Sequence, residues 1–292
     1  MQPILERLRD GEVLLADGAM GTMLINRGLQ AGVCPEFLNL SKPAIPEEIA
    51  QLYFNAGADI IQTNTFGASP MKLAGFGLED KAEEINCRAV AIVRKVVGEQ
   101  VYISGSCGPS GKILKPYGDV EPDVLYRGFK RQIKALIKAG VDMICVETMT
   151  DLQEATLAVK ATRTVSPQTP VIATMTFDET PKGFFTIMGV SIKEAANGLQ
   201  AVGADIVGSN CGHGIENMIK IAREFKKVSR LPLIIQSNAG QPQTRGGKLI
   251  YPETAEFFAE KAKKLRDVGV SIIGGCCGTT PEYIRAMRKV LS

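Results

Sequence analysis

Two adjacent cysteines, Cys276 and Cys277, sit in the run Gly274-Gly275-Cys276-Cys277-Gly278-Thr279-Thr280, and a third, Cys211, follows Asn210 far upstream. Neighbouring cysteines do not easily close an unstrained disulfide with each other. The chain has seven thiols, an odd number, so metal binding or buried free thiols are the better readings. Zinc takes thiolates at about 2.3 Å in a tetrahedron, and a site with three protein ligands keeps its fourth position for chemistry. Glycines 274, 275 and 278 permit the sharp turn that lets a vicinal pair chelate. Three unrelated buried thiols are the alternative, since free cysteine is commonly buried.

Two acids, Asp17 and Glu147, also end apolar runs. They suit capture of an ammonium group, and the loop Gly18 to Thr22 supplies backbone amides able to hold a carboxylate. A thiol-bearing amino acid would satisfy acids, amides and metal together; ion pairs closing a rim are the alternative for either acid. The single histidine, His213, lies two residues past Cys211 and reads more readily as a bystander than as a ligand or acid-base group. Cys87 and Cys145 fall within helical or strand patterns, and Cys107 lies beside turn residues, so all three read as structural.

These residues gain meaning from the elements that must carry them. Eight apolar runs read as strands: Val13–Ala16, Asp59–Thr63, Val101–Ser104, Met143–Val146, Val171–Met175, Asp205–Gly208, Leu233–Gln236 and Ser271–Ile273. Their near-continuous hydrophobicity fits strands buried on both faces, hence a parallel sheet. Helical patterns fall between them, at Lys81–Val97, Pro122–Ala139, Leu152–Val165, Ile192–Val202, Ile215–Val228 and Pro252–Val268, with further openings at Pro46-Glu47-Glu48 and Thr280-Pro281-Glu282. A recurring Ala/Val-Gly-Ala/Val-Asp/Ser stop at residues 56–59, 139–142, 202–205 and 268–271 supports repeated βα units. Eight such units without a linker predict a single α/β domain over 1–292, a (β/α)8 TIM barrel, with the first dozen residues plugging or flanking its floor. An open doubly wound sheet is the alternative. In a barrel the residues after each strand converge on one mouth, and Cys211, Cys276 and Cys277 then end strands six and eight, next-nearest neighbours around the ring.

Composition agrees with a large globular core: 45% hydrophobic, 22% charged, and no apolar run of the roughly 18 residues a membrane span needs. The first ten residues lack a signal-peptide pattern, which leads us to expect a cytoplasmic protein. A net charge of +3 without long charge runs gives no footprint for nucleic acid or an anionic membrane.

Taken together the motifs resemble the homocysteine S-methyltransferases, above all the homocysteine-binding module that opens cobalamin-dependent methionine synthase. The resemblance spans nearly the whole chain, through Asp17-Gly18-Ala19-Met20-Gly21-Thr22, Thr63-Asn64-Thr65-Phe66-Gly67-Ala68, Gly108-Pro109-Ser110-Gly111, Glu147-Thr148, Met175-Thr176-Phe177-Asp178, Asn210-Cys211, Asn238-Ala239-Gly240 and Gly274 to Pro281. It implies that Cys211, Cys276 and Cys277 are zinc thiolates, with the Asp17–Gly18 loop and Glu147, together with Asn64 and Thr65, as homocysteine contacts. It further implies a zinc-dependent transfer of a methyl group to homocysteine, giving methionine, so that the chain belongs to methionine biosynthesis.

The implied chemistry has a physical basis. A free thiol has a pKa of about 8.5 and is a poor nucleophile near neutrality, whereas a metal-coordinating thiol is deprotonated outright. The expected donor is a methylcorrinoid, methylcobalamin on a partner protein in trans. The sequence ends soon after the eighth helix, and its only histidine stands in Cys-Gly-His-Gly-Ile-Glu rather than in a cobalamin-ligating Asp-x-His-x-x-Gly, so no folate- or cobalamin-binding domain is expected within it. S-methylmethionine, S-adenosylmethionine and betaine are alternative donors. Betaine is the least favoured, because quaternary ammonium groups bind aromatic faces and the chain has no Trp and only six Tyr. Two further readings compete: a metal-free enzyme using Gly274–Thr280 as a phosphate cradle, and a non-catalytic zinc- or homocysteine-binding subunit of a larger complex.

Overall fold

A computed structural model describes residues 1–245 and 248–291. Eight parallel strands form one sheet: β1 (Leu14–Leu15), β2 (Ile60–Gln62), β3 (Tyr102–Cys107), β4 (Met143–Met149), β5 (Val171–Met175), β6 (Ile206–Asn210), β7 (Leu233–Ser237) and β8 (Ile272–Gly275). The order around the sheet is β1-β8-β7-β6-β5-β4-β3-β2, and a parallel bridge from Ala16 to Ile60 closes the ring. The fold is therefore a single (β/α)8 barrel, not an open sheet.

The outer ring consists of α1 (Ala44–Asn55), α2 (Ala82–Val97), α3 (Pro122–Ala139), α4 (Leu152–Val165), α5 (Ile192–Ala201), α6 (Ile215–Val228), α7 (Ala255–Val268) and α8 (Pro281–Leu291). Local chemistry sets their ends. Ser191 and Glu194 form a reciprocal capping box at the start of α5, and Gly140 and Gly269 stop α3 and α7 in the left-handed conformation that glycine adopts without steric cost. Two helix starts differ from expectation. α1 begins at Ala44, before Pro46, and α7 begins at Ala255 because the Thr254 hydroxyl, not Pro252, caps it.

Strand side chains alternate between the helix layer and the lumen. Leu14, Ile60, Tyr102, Met143, Ile172, Ile206, Ile234 and Ile272 pack in the lumen with Ile4 and Leu8 of a short N-terminal helix, Ile4–Arg9, which plugs the floor as expected. Cys145 joins this layer and Cys107 is fully buried, both structural thiols as the sequence suggested.

Strand lengths are where the fold departs most from expectation. β3, β4, β6, β7 and β8 each run past the apolar stretch, so that Ser106, Cys107, Glu147, Thr148 and Asn210 are strand residues and not loop residues. The alternating inward positions simply change from apolar to polar near the mouth. Two unanticipated hairpins, Asp178–Thr180 with Gly183–Phe185 and Gln243–Arg245 with Lys248–Ile250, stand on the same end. Among the described residues no helix is long and apolar enough to cross a membrane.

Candidate metal centre and substrate cavity

Cys211 follows β6 directly, and Cys276 and Cys277 follow β8, so the ring brings three thiols to one side of the mouth. Their sulfurs all lie within 4.8 Å of one another, and Cys211 Sγ is 3.9 Å from Cys277 Sγ. Backbone bonds hold the turns: Cys211 N–H donates to Gln236 O at 3.1 Å, Cys276 N–H to Ser237 O at 2.7 Å, and Ala239 N–H to Cys277 O at 2.9 Å. Cys211 has φ of +63°, a conformation that costs a non-glycine residue on the order of 1 kcal/mol or more and points to function where its surroundings enforce it. Gly278, at φ +83°, lies under the Tyr251 ring, where an added Cβ would come within 2.1 Å of the ring carbon.

The electrostatics of this cluster fit a divalent cation. Hydrogen bonds from Cys276 and then Cys277 hold the Cys211 thiol far below the usual range, to about 3. The contact with Cys211, first of all, pushes Cys276 well above that range and Cys277 up to about 11. One thiol held low beside two held high reflects how closely the three sulfurs crowd one another, and a cation among them would ionise all three. Tetrahedral zinc with bonds of about 2.3 Å requires sulfurs roughly 3.8 Å apart, close to the 3.9 Å between Cys211 and Cys277, and the donors are of the soft type zinc accepts. His213 is not among them. Its Nδ1 pairs with Gln241 Nε2 at 3.1 Å, and its Nε2 lies 3.4 Å from Asp178 Oδ1 without hydrogen-bond geometry, facing a side cleft.

A cavity of about 360 Å³ opens beside the thiols, lined by Gly18 to Thr22, Gln62 to Phe66, Ser106, Glu147, Gln236 and the three cysteines. Two acids line it: Glu147, on the strand opposite β8 in the ring, and Glu36, whose two oxygens accept from Gly67 N–H at 2.7 Å and from Cys34 Sγ at 3.3 Å. Glu147 Oε1 accepts from Ser106 Oγ and from Gln62 Nε2, the latter at 3.2 Å, while Oε2 has only Asn210 Nδ2 at 3.5 Å. Burial pushes this carboxyl up to about 7. Asp17 lies behind the cavity wall. Burial raises it to about 8, Gln62 N–H donates to its Oδ2 at 2.9 Å, and its Oδ1 has no protein partner.

The other expected contacts are placed differently. Asn64 and Thr65 line the cavity, but their polar groups tie loops together: Asn64 Nδ2 donates to Pro35 O and the Thr65 hydroxyl to Ser106 O, both at 2.8 Å. Gly18 permits a close approach, since a Cβ there would meet Thr279 Oγ1 at 2.7 Å. Sequence reasoning assigned no role to Gln62, Ser106, Asn210 or Gln236. The signal for them was the two-residue alternation, which turns each of these strand positions inward. A larger hollow of about 630 Å³ lies under the barrel floor around Met1, Arg94 and Tyr102; it holds no thiol and sits at the wrong end for chemistry.

Residues 14–291 match the model of the family described as homocysteine S-methyltransferase. Methionine synthases from Mycobacterium leprae and Mycobacterium tuberculosis are each 33% identical over 299 residues, covering 96% of this chain but 24% and 25% of their own lengths. The chain therefore spans about a quarter of these relatives. Among solved structures, the metallated form of the homocysteine methyltransferase MmuM from Escherichia coli superposes with a TM-score of 0.82 at 23% identity, covering 99% of both chains. The oxidized form of the same protein gives 0.80 at 24% identity, covering 98% of both. At these identities the likeness bears on the fold alone.

Proposed function

The chain belongs to the homocysteine S-methyltransferase family, a family of methyltransferases, and on that premise we propose that it is a zinc-dependent enzyme that converts homocysteine to methionine. The observation that carries this reading is the meeting of Cys211, Cys276 and Cys277 beside a cavity lined also by Glu147, whose Oε2 has only the long 3.5 Å contact to Asn210 Nδ2. One end of that cavity suits a thiol and the other an ammonium group. Zinc held by the three cysteines would supply a Lewis acid that keeps an incoming thiol ionised near neutral pH.

The chain's own residues perform the remaining work. Ser106 and Gln62 pin Glu147 Oε1 and so aim Oε2 into the cavity, where it pairs with the substrate ammonium. Ammonium binding also draws the raised Glu147 carboxyl back to its charged form. The Gly18 to Thr22 segment lines the same space, and the first backbone N–H groups of the helix Met20–Ile25 suit the carboxylate. Asp17, behind the wall, contributes through Gln62 instead of touching substrate. No general base is required of the chain, because coordination to zinc would lower the thiol's pKa enough for its proton to pass to water.

The donor we propose is a methylcorrinoid, methylcobalamin, presented by a partner protein. The rim of the mouth supports this. Ile25, Val33, Phe66, Ile113, Tyr117, Ile187 and Met188 are exposed large apolar side chains, and all stand on segments that follow barrel strands. Exposed apolar side chains on several loops at the same end of the barrel suit a macromolecular surface better than a small polar donor. The test is transfer from free methylcobalamin to homocysteine, with and without a chelator, alongside zinc analysis. Methionine formed only with zinc present supports the reading, and transfer that survives complete zinc removal refutes it.

A further inference from the structure

The Asn210 side chain lies between the two ends of the proposed acceptor site, within 3.5 Å of Glu147 and 3.9 Å of Cys276. It is fully buried at the end of β6. Its Oδ1 accepts from Thr148 N–H at 2.8 Å and from Thr174 Oγ1 at 2.7 Å, and its Nδ2 donates to Thr148 Oγ1 at 2.8 Å. That same nitrogen stands 3.5 Å from Glu147 Oε2 and 3.9 Å from Cys276 Sγ. The amide cannot turn without breaking its bonds to two neighbouring strands. Nor can its neighbours drift, because Thr148, which it grips by both backbone and hydroxyl, is held at φ +60°, and Cys211 beside it at φ +63°.

We infer that Asn210 is a positioning residue that sets acceptor length, fixing the gap between carboxylate and thiol cluster so that the site takes a thiol two methylenes from the amino carbon and discriminates against one with a single methylene. The inference rests on the reading of Glu147 as ammonium partner and the cysteines as thiol end. A methylene adds roughly 1.3 Å of reach, given a C–C bond of about 1.5 Å. Cysteine anchored by sulfur therefore leaves its ammonium roughly 1.3 Å farther from Glu147 Oε2 than homocysteine does. Glu147 cannot follow it inward, since Ser106 and Gln62 hold its other oxygen and Asn210 abuts this one. Missing a methylene in a rigid site typically costs about 10- to 200-fold in selectivity.

The test is calorimetric binding of homocysteine and of cysteine to the zinc-loaded chain, its N210A and N210D variants, and E147Q, with zinc per chain measured for each. The unsubstituted chain is expected to prefer homocysteine at least tenfold, and N210A and N210D to narrow that ratio about tenfold while retaining zinc. If N210A does not fold, N210D carries the test, because it keeps the acceptor that Thr148 N–H and Thr174 use. Loss of affinity by the same factor for both ligands would mean a structural role and overturn the inference, as would an unchanged ratio or no initial preference. If E147Q leaves homocysteine affinity unchanged, the underlying reading fails and the inference falls with it. If E147Q weakens homocysteine while the Asn210 variants keep the ratio, only the inference fails.

Discussion

Replacing Glu147 by Gln tests the acceptor site with a perturbation whose size follows from the contacts. Ser106 Oγ and Gln62 Nε2 both donate to Oε1, so a glutamine must place its carbonyl oxygen there. Its NH2 group then occupies the position of Oε2 and meets the substrate ammonium donor against donor. A hydrogen bond to a charged group contributes about 1.5–3 kcal/mol, and the reversed amide puts this variant in the upper part of that range. At about 2–3 kcal/mol the KM for homocysteine rises roughly 30- to 150-fold, with kcat and zinc content little changed, because the thiols are untouched. Steady-state kinetics with homocysteine and with 4-mercaptobutyrate, which lacks the amino group, provide the check. The amine-free thiol is expected to be used equally well by both forms. A KM for homocysteine within threefold of the parent, or an equal loss on both thiols, would refute the assignment.

Further outcomes follow from other parts of the site. Each of C211A, C276A and C277A loses zinc and activity together, whereas C87A and C107A keep full metal content, since Cys87 lies on α2 and Cys107 is buried in β3; metal analysis of the purified variants decides this. Gly278→Ala weakens zinc binding in a chelator competition, because a Cβ at φ +83° strikes the Tyr251 ring and moves the Cys276-Cys277 turn. Asp17 is protonated in the folded chain up to about pH 8 but in the unfolded chain only below about 4, so the folded form binds the extra proton between these values. Its contribution is complete below pH 4 and is lost as pH rises to 8, by at most about 1.4 kcal/mol per pH unit. D17N accordingly gains on the parent as pH rises through that window, and denaturant melts at pH 5 and pH 8 that show the same gap would contradict it.

Much of this molecule was legible in its residues, and the exceptions share a physical cause. The barrel followed from apolar runs alternating with helical ones and from glycine stops such as Gly140 and Gly269, where local backbone preference and tertiary packing agree. The thiols were recognisable because three cysteines at strand ends have few other uses. What periodicity hid was the polar upper layer of the lumen. Ser106, Glu147 and Asn210 look like loop residues because strand signals rest on hydrophobicity, yet a barrel mouth asks its strands to continue while their inward side chains become polar. Gln62 and Gln236 fell inside the expected strands, but a glutamine at a strand end carries no mark in the sequence that it faces a cavity. Asp17 behind the wall, and Asn64 spent on holding a loop, could be separated from Glu147 only once neighbouring strands and their hydrogen bonds were in place.

The central claim is that three sulfurs hold one ion and leave it a position for the thiol of the substrate. X-ray absorption at the zinc edge, recorded on the zinc-loaded chain before and after homocysteine is added, tests this most directly. The account predicts one zinc per chain with three sulfur neighbours near 2.3 Å, rising to four when homocysteine binds. Fewer than three sulfurs at the start, or a count unmoved by saturating homocysteine, would contradict it.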